Sequence, residues 1–378
     1  MKRLALNILI FLALVMAAQV LLTLDYSLGT PPGKRANGFD RMRAFRARVP
    51  SEGGYRPDPV TLQFQSHMKL HPTLGFVFKE NLGADEPLEI RWADQESGPM
   101  TTDENGFVNS QHAIEARKAG ERVRIVGAGS SFLQGAAVKF HDFFWAKGLF
   151  YYSVATPRHT FPQFTTAVRE YALPLDPDWI LYDVNEACFE SLRDYQEWSR
   201  SGMDWFTYHS GTWSGPPRPR PIPLLHDFPT AERLYLAIRH RVAPSPPLAP
   251  LSDEEAAALA LDYVVKARDA AQAHGIGFLA LVIPSRDFVM YGKSARQGAM
   301  ESLLRKLAER GVPVLDLRVP FSQEEDPSAL YYRVDAHWND YGIHKAGLAI
   351  AAYIKEAGDR RARAMPESQR KREPTLNP

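Results

Sequence analysis

The sequence predicts an α/β fold in three layers, a parallel sheet with helices on both faces. Two observations carry this. Five short runs, 123–126, 150–154, 179–184, 277–283 and 312–316, are apolar throughout rather than alternating, as strands covered on both faces are. Helical stretches lie between these runs, and alternation of the two element types implies parallel strands joined by crossovers.

The helices are signalled at their ends. Ser252-Asp-Glu-Glu255 is a capping box opening an Ala/Leu-rich helix over 252–273, with the serine and glutamate at the spacing that lets each bond the other's backbone N–H. A second helix, 301–310, is closed by Gly311. The last, 340–355, places Ile343, Ile350 and Ile354 on one face. Upstream, His71-Pro-Thr-Leu-Gly-Phe-Val-Phe78 and Asn105-Gly-Phe-Val108 look like short strands with turns, so a small β arm precedes the sheet. The α/β domain is expected to span 71–358. A Pro-rich excursion over 209–251 interrupts it, since Gly215-Pro-Pro-Arg-Pro-Arg-Pro-Ile-Pro223 cannot form a hydrogen-bonded ladder. The aromatics Trp205, Phe206, Tyr208 and Trp213 lead into the excursion, either pinning a long loop to the core or stacking on sugar rings. Residues 359–378 are charged and poor in apolar groups, including Arg360, Arg361, Arg363, Arg370, Lys371 and Arg372, and predict a disordered tail.

The N-terminus carries a strong physical signal. Lys2 and Arg3 precede an apolar run over 4–24 that Asn7, Gln19 and Thr23 interrupt, and Asp25 follows. About twenty apolar residues span a bilayer as a helix, and the positive flank predicts the N-terminus in the cytoplasm. A cleaved signal peptide is the competing reading; apolar residues continuing past Ala17-Ala18 favour an uncleaved anchor over 1–25. Either exports the body of the protein, so the expected location is the inner membrane, single-pass, with the domain in the periplasm or outside the cell. Residues 26–70, rich in Gly, Pro and Arg, form the juxtamembrane linker.

Composition removes other classes. A net charge of +1 over 378 residues argues against a nucleic-acid partner. One cysteine, Cys188, excludes an internal disulfide framework, and its apolar surroundings suggest a buried thiol. No Cys/His cluster has structural zinc spacing, and no metal or other cofactor is called for.

Two segments carry chemistry. Arg124-Ile-Val-Gly-Ala-Gly-Ser-Ser-Phe-Leu-Gln-Gly135 is a glycine-rich turn after a strand, which sets a side chain at the carboxyl edge of a sheet where α/β proteins bind ligands. It also supplies backbone N–H groups for an oxyanion. Such a segment is also found as a plain turn or a phosphate cradle, though a P-loop would carry a lysine beside the glycines. Far downstream, Val334-Asp-Ala-His-Trp-Asn339 offers a carboxylate and an imidazole. A serine early, with Asp and His late, is the composition of an activated nucleophile and its base. His159, His209 and His226 fit surface or loop positions better than substrate contacts.

These segments resemble the blocks of the SGNH (GDSL-like) hydrolase superfamily, and more closely its membrane-anchored and periplasmic members related to alginate O-acetyltransferases, which carry an Asp-x-His-Trp motif. The family's Gly-Asp-Ser-Phe-x-x-Gly stands here as Gly129-Ser-Ser-Phe-Leu-Gln-Gly135. The last block stands as Asp335-Ala-His-Trp-Asn-Asp-Tyr-Gly342. By resemblance, Ser131 is the nucleophile, His337 the base and Asp335 its orienting carboxylate. Asn185, in Asp183-Val-Asn-Glu186, is an oxyanion donor together with the N–H groups of Ser131 and Arg158. The chain departs from the pattern at three places: Ser130 replaces the family's Asp, Asp183-Val-Asn-Glu replaces Gly-x-Asn-Asp, and Arg158 stands at the glycine position after the second strand. The resemblance covers roughly 71–355 and implies a flavodoxin-like sheet. It also implies a serine esterase or O-acyltransferase acting on acetyl groups of an extracellular polysaccharide or acylated sugar, with a membrane acyl-donor protein as a further partner. The alternative is a catalytically degenerate relative that binds glycan or assists assembly in a polysaccharide export system.

Overall fold

The computed structural model describes residues 67–83, 88–92, 95–201, 251–332 and 336–364. These fall within one of two units of the chain, His67–Trp205 with Leu248–Pro378. The predicted anchor over 1–25, the linker as far as residue 66, nearly all of the Pro-rich excursion, His209, His226 and Asp335 lie outside the described residues. Among the described residues no helix is long and apolar enough to cross a membrane.

The chain enters through the predicted β arm. Strand β1 (Met68–His71) pairs antiparallel with β2 (Gly75–Phe78), and β3 (Leu88–Trp92), β4 (Gln95–Thr102) and β5 (Val108–Asn109) form a second antiparallel set. Polar side chains tie the arm to the domain. Asn109 exchanges two hydrogen bonds with the Ser153 backbone, at 3.0 and 2.8 Å. The Tyr152 hydroxyl donates to Asp103 at 2.7 Å. Helix α1 (Gln111–Lys118) follows, capped by Ser110.

The apolar runs become one five-stranded sheet: β6 (Ile125–Ala128), β7 (Tyr151–Ser153), β8 (Trp179–Asn185), β9 (Gly277–Ile283) and β10 (Val314–Asp316). The order is β10-β9-β8-β6-β7, and every pairing is parallel. This is the flavodoxin-like order, in which the chain moves one way from β6 to β7 and then returns to build β8, β9 and β10 on the other side. The crevice outside the carboxyl ends of β6 and β8 is the topological switch point, where open α/β sheets bind ligands.

Side chains alternate between two buried layers. Val126, Tyr152, Ile180, Tyr182, Phe278 and Val282 face one. It is covered by α4 (Phe161–Ala167), α6 (Asp253–Ala273) and α8 (Gln297–Glu309), the helix numbers running in chain order. Ile125, Tyr151, Leu181, Leu279 and Ile283 face the other. That layer is covered by α3 (Ala137–Trp145) and α10 (Asp340–Ala364). Both faces are apolar because both are covered, which explains the unbroken runs of the sequence. Ile343, Ile350 and Ile354 are all buried on one face of α10, and truncating Ile350 to Ala removes roughly 2–5 kcal/mol. The Ser252–Glu255 capping box forms as predicted, with Ser252 N donating to Glu255 at 2.9 Å and Glu255 N donating to Ser252 Oγ at 3.2 Å.

Some bounds differ from the sequence expectation. Strand β6 begins at Ile125 and includes Gly127 and Ala128; residues 123 and 124 are its lead-in, Arg124 donating its amide to Phe150 at 2.8 Å. Helix α8 starts at Gln297. Helix α10 continues to Ala364, six residues past Gly358, because an Ala- and Arg-rich segment suits a helix and Glu356 pairs with Arg360 one turn on. Cys188 is buried as expected, but it sits at the start of helix α5 (Ala187–Ser201) rather than at a strand end, and burial pushes its thiol well above its usual range.

Candidate active site

Gly129 leaves β6 opposite Asp183 of β8. A Cβ at Gly129 would lie 2.4 Å from Asp183 Cβ and 3.0 Å from Leu133 Cδ1, so only glycine lets the turn press this close. Ser130 is the N-cap of the short helix α2 (Ser131–Gly135). Ser131 is the first residue of that helix, where the backbone N–H has no acceptor within the helix. The turn thus presents a partly buried hydroxyl at the switch point.

The histidine that meets Ser131 comes from the other end of the chain. His337 Nε2 lies 2.7 Å from Ser131 Oγ, within the range for proton transfer to a positioned base. The His337 ring also packs on Phe132, with centroids 4.7 Å apart. The segment that carries it is tied down on both sides. Tyr332 N donates to the His337 carbonyl and Asn339 N to the Leu330 carbonyl, both at 3.0 Å. Asn339 Nδ2 bonds the Ala329 and Tyr331 carbonyls at 2.9 and 3.0 Å, while its Oδ1 accepts from Tyr341 N and Gly342 N at the start of α10. Trp338, 2% exposed, donates its indole N–H to the Phe132 carbonyl at 3.1 Å.

Arg158 stands in the loop after β7, exposed, with φ of 62°. This is the left-handed region that glycine enters freely and other residues seldom do, so the backbone keeps a glycine-like conformation at the position where the family pattern has glycine. The same loop touches the serine turn, since Thr156 N donates to the Gly129 carbonyl at 3.0 Å.

Asn185 ends β8, buried. Its Nδ2 donates to Ser130 Oγ at 3.0 Å and to Asp183 Oδ1 at 2.7 Å. Both amide hydrogens are therefore engaged below the turn, with Ser130 and Asp183 as the partners of the amide that the resemblance assigns to an oxyanion. The cause is Asp183, whose carboxylate recruits the amide.

Asp183 and Ser130 are the parts of the site that motif matching passed over. The Ser130 hydroxyl donates to Asp183 Oδ2 at 2.6 Å and the Ser130 amide at 2.9 Å. Burial raises the Asp183 carboxyl, against the pull of these bonds. A signal existed in the sequence: a carboxylate inside an apolar strand requires buried partners. His159 is neither a surface residue nor a substrate contact. It is buried, its Nε2 donates to the Phe76 carbonyl at 2.8 Å, and burial lowers its pKa to about 3. Among the described residues no group of three or more His, Cys, Asp or Glu is placed to hold a metal ion.

Residues 247–376 match the family model of the SGNH hydrolase-like domain of the acetyltransferase AlgX. The match is about a third of the chain; it contains His337 and Trp338 and not the Ser131 turn. Among solved structures, the chain is similar to a GDSL-like lipase from Bacteroides thetaiotaomicron, at 15% identity over 65% of this chain and 100% of that one, TM-score 0.36. It is also similar to an acetyl xylan esterase, at 11% identity over 61% and 100%, TM-score 0.38, and to a lipase/acylhydrolase from Enterococcus faecalis, at 10% identity over 62% and 96%, TM-score 0.35. No curated protein sequence matches the chain. The chain resembles the SGNH hydrolases in its fold and in its family model, which is that of an acetyltransferase domain.

Proposed function

We propose that this protein is an exported SGNH-type serine acyl-ester enzyme, an O-acetyltransferase or O-acetylesterase acting on an extracellular polysaccharide. The observation that carries it is the 2.7 Å contact between Ser131 Oγ and His337 Nε2 at the switch point. His337 takes the hydroxyl proton as Ser131 Oγ bonds to the ester carbonyl carbon, and returns it to the departing alcohol oxygen as the ester bond breaks. The acyl-serine then loses its acyl group to water, giving hydrolysis, or to a sugar hydroxyl, giving transfer, with His337 taking the proton of the attacking oxygen and handing it to Ser131 Oγ as the acyl–serine bond breaks. Asp335, two residues before His337, is assigned to hold the imidazole in the tautomer that leaves Nε2 free to accept. The N–H groups of Ser131 and Arg158 are assigned to the oxyanion, each such donor typically worth ~10²–10³ in rate.

Acetyl as the transferred group is supported by the acetyltransferase domain matched over 247–376, and export to the periplasm or beyond by the basic-then-apolar segment at 2–24. That segment would anchor the domain beside a membrane acyl donor. One observation favours a second reading, a glycan-binding or assembly protein without turnover: the Asn185 amide is engaged with Ser130 and Asp183 rather than open to substrate.

The full chain in detergent, treated with a fluorophosphonate probe, decides between them. Adduct on Ser131, absent from Ser131→Ala and His337→Ala variants that melt like the wild type, supports the enzyme. A folded chain with no adduct supports the binding role.

A further inference from the structure

An ionisable carboxyl group is built into the sheet directly beneath the serine turn. Asp183 is fully buried in β8, flanked along the strand by buried Leu181, Tyr182 and Val184. Three bonds from neutral donors hold its carboxylate: Ser130 N at 2.9 Å, Ser130 Oγ at 2.6 Å and Asn185 Nδ2 at 2.7 Å. Burying a carboxylate is expensive even when neutral donors meet it. An uncharged residue able to accept one hydrogen bond would fill the strand position at lower cost. What a carboxylate alone provides is acceptance at both oxygens with no donor of its own. Here one oxygen takes both the amide and the hydroxyl of Ser130, and the other takes the Asn185 amide, which in turn donates to Ser130 Oγ at 3.0 Å. Ser130 is thereby held by its backbone and by its side chain. Ser131 is the next residue, and the direction of its Oγ follows from the backbone torsions that Ser130 is given.

On the reading of Ser131 as a nucleophile, we propose that Asp183 is its positioning residue: through Ser130 the buried carboxylate fixes the turn so that Ser131 Oγ meets His337 Nε2. Asn185 belongs to the same device, bridging the carboxylate and the Ser130 hydroxyl. The arrangement also accounts for Gly129, whose missing Cβ lets the turn reach the carboxylate.

The test separates positioning from stability, because the two roles predict different responses to loss of the second acceptor. Asp183→Asn in the full chain keeps the size and removes the ionisable group, but it sets an amide donor or a single acceptor where two acceptors stood. The variant is expected to melt at or above the wild-type temperature while fluorophosphonate labelling of Ser131 slows at least tenfold. The exchange variant, Ser130→Asp with Asp183→Ser, moves the carboxylate to the other side of the same contact. It is expected to label faster than either single substitution. Labelling of Asp183→Asn at the wild-type rate, or an exchange variant no faster than the slower single one, overturns the proposal. A wild-type chain that takes no probe sinks the enzymatic reading instead. The link between positions 130 and 183 is then judged by melting temperature, where recovery in the exchange variant relative to both single ones upholds it and no recovery overturns it.

Discussion

Trp338 and Phe132, 206 positions apart in the chain, are joined by a hydrogen bond from the indole Nε1 to the backbone carbonyl at 3.1 Å. The bond connects the residue after His337 to the residue after Ser131, so it bears on the separation of those two side chains. The indole is also packed edge-on against the Phe132 and Phe140 rings, at centroid distances of 5.6 and 5.9 Å. Trp338→Phe keeps most of that packing and deletes the donor, leaving the Phe132 carbonyl only its bond from Ala136 N, at 3.1 Å. The loss is expected to cost about 0.5–1.5 kcal/mol of stability. Reactivity should suffer more, because a misplacement near 1 Å costs about a hundredfold in rate. Denaturant melts beside probe labelling rates check both, and equal loss in the two would deny the bond a role in alignment.

Gly129→Ala is expected to be damaging out of proportion to its size. The new methyl group would stand 2.4 Å from Asp183 Cβ, and a Cβ cannot swing aside as the end of a long side chain can. The turn has to lift off β8, at about 1–3 kcal/mol for forced overpacking, and the Ser130–Asp183 bonds lengthen with it. Chemical denaturation of the variant reads the cost. A variant as stable as wild type would mean that the turn moves freely.

The five strands of the parallel sheet and the Ser252–Glu255 cap were legible in the sequence because each rests on a local rule. Continuous apolar runs such as 277–283 can only be covered on both faces, and Ser252 with Glu255 is a reciprocal pair three residues apart. The partnership of Ser131 and His337 was legible by motif alone, since nothing local brings position 337 to position 131. What escaped was how a departure at one place is answered at another. Ser130 and Asp183 each read as a deviation from a family block, and only the pairing of β6 with β8 shows one side chain bonded to the other. The bonds of the Asn185 amide were hidden for the same reason, because the fate of an amide depends on which carboxylate lies beside it.

Arg158→Gly is expected to be nearly silent in stability. The residue sits at φ of 62°, where a non-glycine side chain costs ~1–2 kcal/mol. Glycine removes that strain but adds back about 0.5–1 kcal/mol of unfolded-state entropy. The backbone N–H is retained, so labelling of Ser131 should stay within about fivefold of wild type, a change worth ~1 kcal/mol. Arg158→Val tests the converse, since a β-branched residue is a poor fit to this conformation and should lose ~1–3 kcal/mol. Both variants are read by thermal melts. A large loss on Arg158→Gly would assign the side chain, rather than the backbone, the dominant role.

His159 sets the sign of the protein's response to acid. Its ring is fully buried against Phe76, donates to that residue's carbonyl, and has its pKa lowered to about 3 by burial. In the unfolded chain a histidine titrates near 6.5. Between those values the unfolded state binds a proton that the native state refuses, so stability is full above about pH 6.5 and falls as the pH drops toward 3, by ~1.4 kcal/mol for each pH unit. His141, buried and likewise lowered, acts in the same direction. His159→Gln keeps a neutral donor for the Phe76 carbonyl and removes the titration. It is expected to be less stable than wild type at pH 7.5, where the imidazole packs better, and to lose less on acidification, so that the two curves converge near pH 5. Urea midpoints measured at half-unit steps from pH 7.5 to 4.5 give both slopes. Parallel curves would mean that His159 takes its proton in the native state and that the acid response has another source.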